Sequence, residues 1–353
     1  MPVDAASVLA ALPARPDWFL HQVDLAGERA LLVRLSPEEL RASAFLDERV
    51  LAGSRDGFWA PLARVVEALP VAATESPAHA IFHIGHCGST LLSRLLDRWP
   101  GVLGLREPLP LRTLAALREE LASPLARLDS AQWQALFACV RTACARRPAG
   151  VARVVVKATS SANALVDPWL GVAGANALLL HVRLAPYLAT ILKSASARSD
   201  ALTFAPARLG TLHALLGDDA LRLPPLAPAE RIALGWLAEL ARFAAAATTH
   251  GARVLRLDFD EFLAAPAPAL AALAAHFGLP ADGDSVARAL DPAVLGSYAK
   301  ATEHAYDAAA RAADLAESRR RFGDEIAAGL RFAERIIARY PRLGGIAELM
   351  HCA

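Results

Sequence analysis

The sequence predicts a three-layer α/β/α fold built around a central parallel sheet. Short, continuous apolar runs have the length of strands that are buried on both faces, as in parallel sheets. Longer segments with helical periodicity lie between these runs, and this alternation is typical of doubly wound sheets. A glycine-containing turn joins the first run to a helix, and the unpaired N–H groups at such a helix start can hold an anion.

The predicted elements follow one another along most of the chain. The strand candidates are 80–85, 151–158, 175–183 and 252–259. The helical patterns are 110–123, 131–146, 186–198, 228–249 and 267–277. A further helix begins at Ser89 directly after the glycine turn, and its leucines recur on one face, which indicates packing against the sheet.

Three parts of the chain are predicted from these patterns. They are a mixed helical lead-in (1–75), the α/β core (76–290) and a helical C-terminal extension that packs on the core (291–353). Within the lead-in, Ser36 followed three residues later by Glu39 predicts a capping box at a helix start. A stretch rich in proline and serine, 70–77, separates the lead-in from the core.

Composition narrows the class of protein. Of the 353 residues 55% are hydrophobic, but charged residues, prolines and glycines interrupt the long apolar stretches, so no membrane span is predicted. The N-terminal residues include an aspartate and no early lysine or arginine, which does not fit a signal peptide. The net charge is only +1, so neither a nucleic acid nor an anionic membrane is an expected partner.

The cysteines give a prediction of the compartment. Cys87, Cys139, Cys144 and Cys352 form no CxxC pair and have no histidines at zinc spacing, so no metal site is expected. We interpret them as reduced cysteines in a reducing environment, which predicts a cytoplasmic protein.

The turn IGHCGSTLL (84–92) is the predicted anion-binding loop. Gly88 allows a phosphate to approach the backbone closely, and Ser89 and Thr90 offer hydroxyl groups at the helix start. The GxxxxGK[ST] pattern is absent, and the missing lysine argues against ATP or GTP hydrolysis. Taken alone, the motif is also compatible with an ordinary capped glycine turn.

A wider segment, 81–112, resembles the first motif of the sulfotransferases that use 3′-phosphoadenosine 5′-phosphosulfate. The resemblance implies a P-loop nucleoside triphosphate hydrolase-like fold of the sulfotransferase type, with the donor's phosphosulfate end held by the loop. The residues that match the loop are Gly88, Ser89, Thr90 and Leu91, with Cys87 where serine is common.

His86 stands where that family has lysine or arginine. Histidine is charged only part of the time near neutral pH, so we expect a weaker or pH-dependent contact with the donor phosphates. The alternative is a neutral turn histidine, with altered or lost activity.

Further resemblances follow in the expected order over about 80–280. VVVKATS (154–160) resembles the family strand that ends in lysine, which places Lys157 at the carboxyl end of a central strand; Thr159 stands where the family has histidine. In 178–194, Arg183 matches the arginine that holds the donor's 3′-phosphate. Leu192 stands where the family has a serine on the next helix, and Thr190 and Ser194 are nearby substitutes.

The late segment 253–280 resembles the family's final strand and helix, and its role is architectural. In the tail, Lys300 and the run Arg319–Arg321 could close over the donor, although a solvated helix end is the alternative for the run.

These residues predict roles in a transfer reaction. Glu107 matches the family's acidic residue and is predicted to be the base, although Arg106 could instead pair with it on the surface. Lys157 and His86 would stabilise charge on the transferring group, and Arg183 would hold the 3′-phosphate. The expected acceptor is a hydroxyl or amine of a small molecule or peptide that the sequence does not identify.

Two other functions stay open. A P-loop kinase or nucleotide hydrolase is disfavoured by the absent lysine of the loop. A non-catalytic nucleotide-binding protein on a degraded sulfotransferase scaffold is favoured by His86 and by the missing helix serine.

Overall fold

The computed structural model describes residues 4–52, 55–69, 77–295 and 308–351. The strands are β1 (Trp18–Asp24), β2 (Arg29–Arg34), β3 (Gly57–Pro61), β4 (His79–His83), β5 (Val102–Arg106), β6 (Arg153–Lys157), β7 (Ala177–His181) and β8 (Val254–Asp258). The first α-helices are α1 (Ala5–Ala10), α2 (Pro37–Ala42), α3 (Leu62–Ala68), α4 (Ser89–Leu96), α5 (Leu109–Glu120), α6 (Ser130–Ala145), α7 (Val166–Leu170), α8 (Leu184–Lys193) and α9 (Ala195–Thr203).

The remaining helices complete the chain. The α-helices are α10 (Ala205–Leu216), α11 (Pro228–His250), α12 (Phe259–Ala264), α13 (Pro266–His276), α14 (Gly283–Ala289), α15 (Pro292–Leu295), α16 (Ala308–Arg321) and α17 (Gly323–Arg339). Short 3₁₀ helices are Leu12–Ala14, Glu48–Leu51, Ser160–Leu165, Gly251–Arg253 and Pro341–Leu349.

A five-stranded parallel sheet in the order β5-β6-β4-β7-β8 forms the centre of the fold, and helices flank it. The predicted α/β class is therefore confirmed. The predicted strand runs correspond to β4, β6, β7 and β8. Every residue of β4 and β7 is buried, as expected for strands covered on both faces.

The order of the strands determines where a ligand can bind. After β4 the chain forms β5 and β6 on one side, and then β7 and β8 on the other side. The connections leaving the carboxyl end of β4 and its neighbours therefore diverge. In open α/β sheets a crevice forms at this point, outside the carboxyl ends of the strands.

One strand of the central sheet was not predicted. β5 follows α4 after a short turn, and its sequence VLGLR has a glycine in the middle. A five-residue run containing glycine gives a weak strand signal. The strand forms because it pairs with β6 over its full length at the edge of the sheet.

The lead-in contains a second, antiparallel sheet in the order β1-β2-β3, which was not predicted either. Four consecutive buried residues open β1, so the alternation that marks a half-buried strand is absent there. The capping box at Ser36 and Glu39 is present at the start of α2, as predicted. The predicted limits of the three parts of the chain stay a prediction, and most of 70–77 lies outside the described residues.

The helix predicted over 186–198 is divided into α8 and α9. The division falls at Ser194, whose extended backbone ends α8 and whose hydroxyl accepts the N–H of Ala197 at 3.2 Å. Serine commonly caps a helix in this way, so the end of one helix becomes the start of the next.

Two C-terminal helices pack on the core. In α16, Ser318 donates a hydrogen bond to the carbonyl oxygen of Ala189 at 2.5 Å and Lys193 pairs with Asp314, so this helix lies along α8. α17 packs against α11 and α8. Among the described helices, none combines the length and apolar character needed to cross a bilayer.

Candidate active site

A cleft of about 540 Å³ opens at the carboxyl ends of β4 and β6. The predicted loop forms its floor, from His86 to Leu91. Glu107 and Lys157 also line it, so most of the predicted site residues share one cavity. The cleft lies where the connections of the sheet diverge, as the strand order requires.

The backbone of the loop explains its sequence. Gly85, His86 and Gly88 have φ angles of 87°, 52° and 75°, in the left-handed region. Glycine adopts this region without steric cost, whereas at His86 the same conformation carries strain. The His86 side chain is exposed and lines the cleft.

The start of α4 is available to a ligand. Gly88 is its N-cap and has no side chain that could bind the first N–H groups of the helix. Ser89 and Thr90 are buried, and both line the cleft. The Thr90 hydroxyl has no hydrogen-bond partner among the described residues, although it is buried. An unpaired buried hydroxyl beside free helix N–H groups fits an anionic ligand.

Gly88 is also required by a close packing contact. A Cβ atom built on Gly88 would lie 2.0 Å from the Phe259 ring at the start of α12. The aromatic ring therefore lies directly against the turn and holds it from the β8 side of the sheet.

Gly88→Ala is expected to lower the free energy of unfolding by about 2–5 kcal/mol, because it adds left-handed strain to a clash with the ring. Urea unfolding measures the change. Gly150→Ala is the matched control, since Gly150 has φ 79° but a Cβ there meets nothing within 4 Å. Equal losses in the two variants would show that the Phe259 contact is unimportant.

Glu107 and Lys157 form an ion pair in the cleft. Lys157 ends β6 and is fully buried, while the Glu107 side chain remains 18% exposed. The Glu107 N–H donates to the Lys157 carbonyl oxygen at 2.7 Å, and its φ of 55° is left-handed. This strained backbone directs the carboxylate towards the lysine, and strain at a non-glycine residue is common at functional sites.

The N-terminal part of the chain reaches this ion pair. The Phe45 ring centroid lies 5.8 Å from Lys157 Nζ, and the Arg49 guanidinium lies 3.8 Å from the same ring centroid. The Leu46 N–H donates to the Arg106 carbonyl oxygen at 2.7 Å, which fixes the segment at the end of β5. The lead-in therefore forms part of the surroundings of Glu107.

Arg106 does not pair with Glu107, so that alternative is wrong. Its side chain is buried, forms an ion pair with Asp97 and donates to the carbonyl oxygens of Arg41 and Ser43 at 2.9 and 3.0 Å. Burial lowers the pKa of Arg106 to about 10, which still leaves the guanidinium charged near neutral pH. Arg106 thus joins the lead-in to β5, and Glu107 pairs with Lys157 instead.

Arg183 is the predicted site residue that the structure does not bring to the described cleft wall. Its guanidinium pairs with Glu261 at 3.0 Å. It also donates to the carbonyl oxygens of Glu348 and His351, each at 3.1 Å. Its role towards a 3′-phosphate stays a prediction, and a ligand would have to exchange these partners.

The side of the cleft formed by α8 and α9 is polar. Thr190, Lys193, Ser194 and Ser196 line it, so both substitutes considered for the family's helix serine are present there. Ser194 and Ser196 hydroxyls lie 3.1 Å apart. Leu192, which stands at the family position itself, is buried in the core.

Arg311 is a cleft residue that the sequence analysis missed. It lies on α16, is buried, and its Nε donates to Asp260 at 2.8 Å. Its guanidinium lies 5.3 Å from the Phe259 ring centroid, and its Nη2 has no partner among the described residues. Arg311 and Ser318 lie on one face of the helix by their spacing, but the sequence does not show that this face packs inward.

The other basic residues considered in the tail are differently placed. Arg319–Arg321 end α16 and are exposed, as a solvated helix end requires. Lys300 lies outside the described residues. Within the described ranges, no group of three His, Cys, Asp or Glu side chains is placed to hold a metal ion.

Cys87, Cys139 and Cys144 are buried and free. Burial raises the pKa of each thiol to about 12. The reactive thiolate is therefore scarce near neutral pH, even for Cys87 in the loop.

We expect these thiols to resist iodoacetamide at pH 8 in the folded protein and to react once it is unfolded in guanidinium chloride. Mass spectrometry of the digested protein measures each site separately, which matters because Cys352 lies outside the described residues. Rapid alkylation of Cys87 in the folded protein would contradict the burial of the loop.

The chain was compared with known proteins. No protein-family model matches it, and no curated protein matches its sequence. Among solved structures, it is similar to sulfotransferase STF1 from Mycobacterium tuberculosis H37Rv, with 18% identity over 74% of this chain and 82% of that one, at a TM-score of 0.39.

Two more solved structures are similar at the same level. Sulfotransferase STF9 from Mycobacterium avium is 13% identical over 91% of this chain and 98% of that one, with a TM-score of 0.37. The sulfotransferase domain from the curacin biosynthetic pathway is 14% identical over 66% and 85%, with a TM-score of 0.39. The α/β class of the chain rests on its own five-stranded parallel sheet.

Proposed function

We propose that the protein is a sulfotransferase that moves a sulfuryl group from 3′-phosphoadenosine 5′-phosphosulfate to a hydroxyl or amine. The observation that carries the proposal is the Glu107–Lys157 ion pair beside an anion-binding loop in one cleft. An in-line transfer from a phosphate oxygen to a hydroxyl or amine needs a base for the acceptor's proton, and a cation and helix N–H groups for the charge on the departing phosphate.

The polar and apolar side chains of the cleft wall suit the phosphates and the base of the donor. Two buried polar atoms of lining residues, Thr90 Oγ1 and Arg311 Nη2, lack partners among the described residues. A buried donor without a partner costs about 1–3 kcal/mol, and phosphate oxygens would satisfy both groups. The apolar surface of Phe259 and Leu263 on the same wall offers contact to a planar base.

The chain's own residues then have separate tasks. The donor supplies a mixed anhydride whose sulfur–oxygen bond to the phosphate breaks as the acceptor's bond to sulfur forms. The Glu107 carboxylate takes up the proton that the hydroxyl or amine of the acceptor molecule loses. Lys157 and the first N–H groups of α4 stabilise the negative charge that develops on the departing phosphate. His86 adds charge only while it is protonated.

The ion pair links these tasks. The Lys157 ammonium lies against the Glu107 carboxylate within the site. When Glu107 takes up the acceptor's proton, one charge of this pair is removed, and the ammonium then interacts with the phosphate that leaves. The pair therefore compensates the charge of a buried lysine before the phosphate does.

The test is transfer of radiolabelled sulfate from the donor to a panel of alcohols, phenols and amines. Labelled product from the wild-type protein, and none from Lys157→Met, would support the proposal. Saturable donor binding without transfer to any acceptor would favour the non-catalytic alternative. That alternative draws on the exposed His86 and on Arg183 being held by other groups.

A further inference from the structure

His83 links the anion loop to the strand that carries Lys157. It is the last residue of β4, and its imidazole is buried at the floor of the cleft. The Gly85 N–H donates to His83 Nδ1 at 3.0 Å. On the other side of the ring, Nε2 lies 2.9 Å from the carbonyl oxygen of Ala158, the residue after Lys157.

These two contacts determine the tautomer of the ring. A backbone N–H can only donate, so Nδ1 must carry a lone pair; a carbonyl oxygen can only accept, so Nε2 must carry the proton. The ring is therefore a neutral imidazole with its proton on Nε2. The other neutral tautomer would place a proton against the Gly85 N–H and a lone pair against the Ala158 oxygen.

The main chain of His83 is held as well. Asn163 Nδ2 donates to the His83 carbonyl oxygen at 3.0 Å and to Glu239 at 2.9 Å. Arg208 in turn donates to Glu239 at 3.2 Å, and these three side chains are buried. A hydrogen-bonded network thus supports the point where the strand becomes the loop.

We propose that His83 is a positioning residue that sets the loop backbone relative to Lys157. This inference rests on the proposed function, because it concerns the geometry of the donor site. His86 is in the left-handed region, which is strained for a non-glycine residue, so the turn needs support from outside its own backbone. The imidazole supplies that support by bridging the turn to the end of β6.

A second histidine on β4, His79, provides a matched control. His79, at the opposite end of β4, is 6% exposed against 4% for His83. Its Nδ1 likewise accepts a backbone N–H, from Asn176 at 3.2 Å, and its ring stacks on Phe277 with centroids 5.1 Å apart. Loss of His79 therefore tests stability alone, far from the loop.

The experiment measures the affinity of 3′-phosphoadenosine 5′-phosphate by calorimetry for His83→Ala, His83→Gln, His83→Asn and His79→Asn. We expect about tenfold weaker binding for His83→Ala and His83→Gln, because the Gly85 N–H loses its acceptor. His83→Asn places an amide oxygen where Nδ1 was but does not reach the Ala158 oxygen, so binding should weaken by about threefold, less than in His83→Ala. His79→Asn should bind as wild type.

Wild-type affinity in His83→Ala, or an equal loss in His79→Asn, would overturn the proposal. Nitrogen NMR of the ¹⁵N-histidine protein gives a second result that does not depend on ligand binding, with His83 assigned from the signal missing in His83→Asn. The proton on Nε2 is expected, and a proton on Nδ1 overturns the inference. If the wild type binds no nucleotide, the proposed function fails. The tautomer of His83 then decides whether the inference about His83 holds.

Discussion

Replacing Glu107 by glutamine is expected to lower sulfuryl transfer by roughly 10²–10⁴-fold, the usual contribution of a general base. Glutamine keeps the shape of the side chain and can still accept a hydrogen bond from Lys157, but it cannot take up a proton. Binding of 3′-phosphoadenosine 5′-phosphate should therefore stay close to that of the wild type.

The measurement is the turnover number with any acceptor found in the transfer screen, together with calorimetry of the product nucleotide. Glu120→Gln is the control, because Glu120 pairs with Arg127 far from the described cleft wall. Full turnover in Glu107→Gln would mean that Glu107 only neutralises Lys157.

Arg311→Ala is expected to weaken binding of 3′-phosphoadenosine 5′-phosphate by about 10- to 150-fold. A charge-assisted hydrogen bond to phosphate contributes about 1.5–3 kcal/mol, and the guanidinium is buried beside the Phe259 ring. Calorimetry measures the loss. Arg320→Ala on the same helix is the control, since Arg320 is exposed and should leave the affinity unchanged.

The same titrations separate Arg311 from Arg183. If Arg183 holds the 3′-phosphate, Arg183→Ala weakens 3′-phosphoadenosine 5′-phosphate but not adenosine 5′-phosphate. Arg183 would then have to exchange some of its present partners, which are Asp258, Glu261 and two carbonyl oxygens, for the phosphate. Unchanged affinity in Arg311→Ala would show that its unpaired Nη2 does not face the nucleotide.

Local sequence was sufficient to predict four of the five strands of the central sheet. In the strand that ends at Lys157, three buried valines separate Arg153 from the lysine, and a buried strand with a lysine at its carboxyl end has few other interpretations. The loop was recognisable because a glycine-containing turn joins an apolar run to a helix. In the structure, Gly88 satisfies both a left-handed backbone and a close contact with Phe259.

Other features depend on tertiary contacts that local patterns do not contain. Arg311 lies in an alanine-rich helix, and only the packing of that helix against α8 and α12 turns it into a cleft residue. Arg106 and Glu107 are adjacent in sequence but bind different partners, because Glu107 adopts a left-handed backbone. A glutamate in the sequence does not predict this conformation. The antiparallel sheet of the lead-in was missed because β1 lacks alternation.

Titration of the wild-type protein with 3′-phosphoadenosine 5′-phosphate is the most direct test of the central claim, that the cleft around Gly88 and Lys157 is a donor site. The account predicts saturable binding at one site, weaker for adenosine 5′-phosphate, and lost in Lys157→Met. Absence of binding, or tighter binding of ATP with Mg²⁺ accompanied by its hydrolysis, would contradict the account.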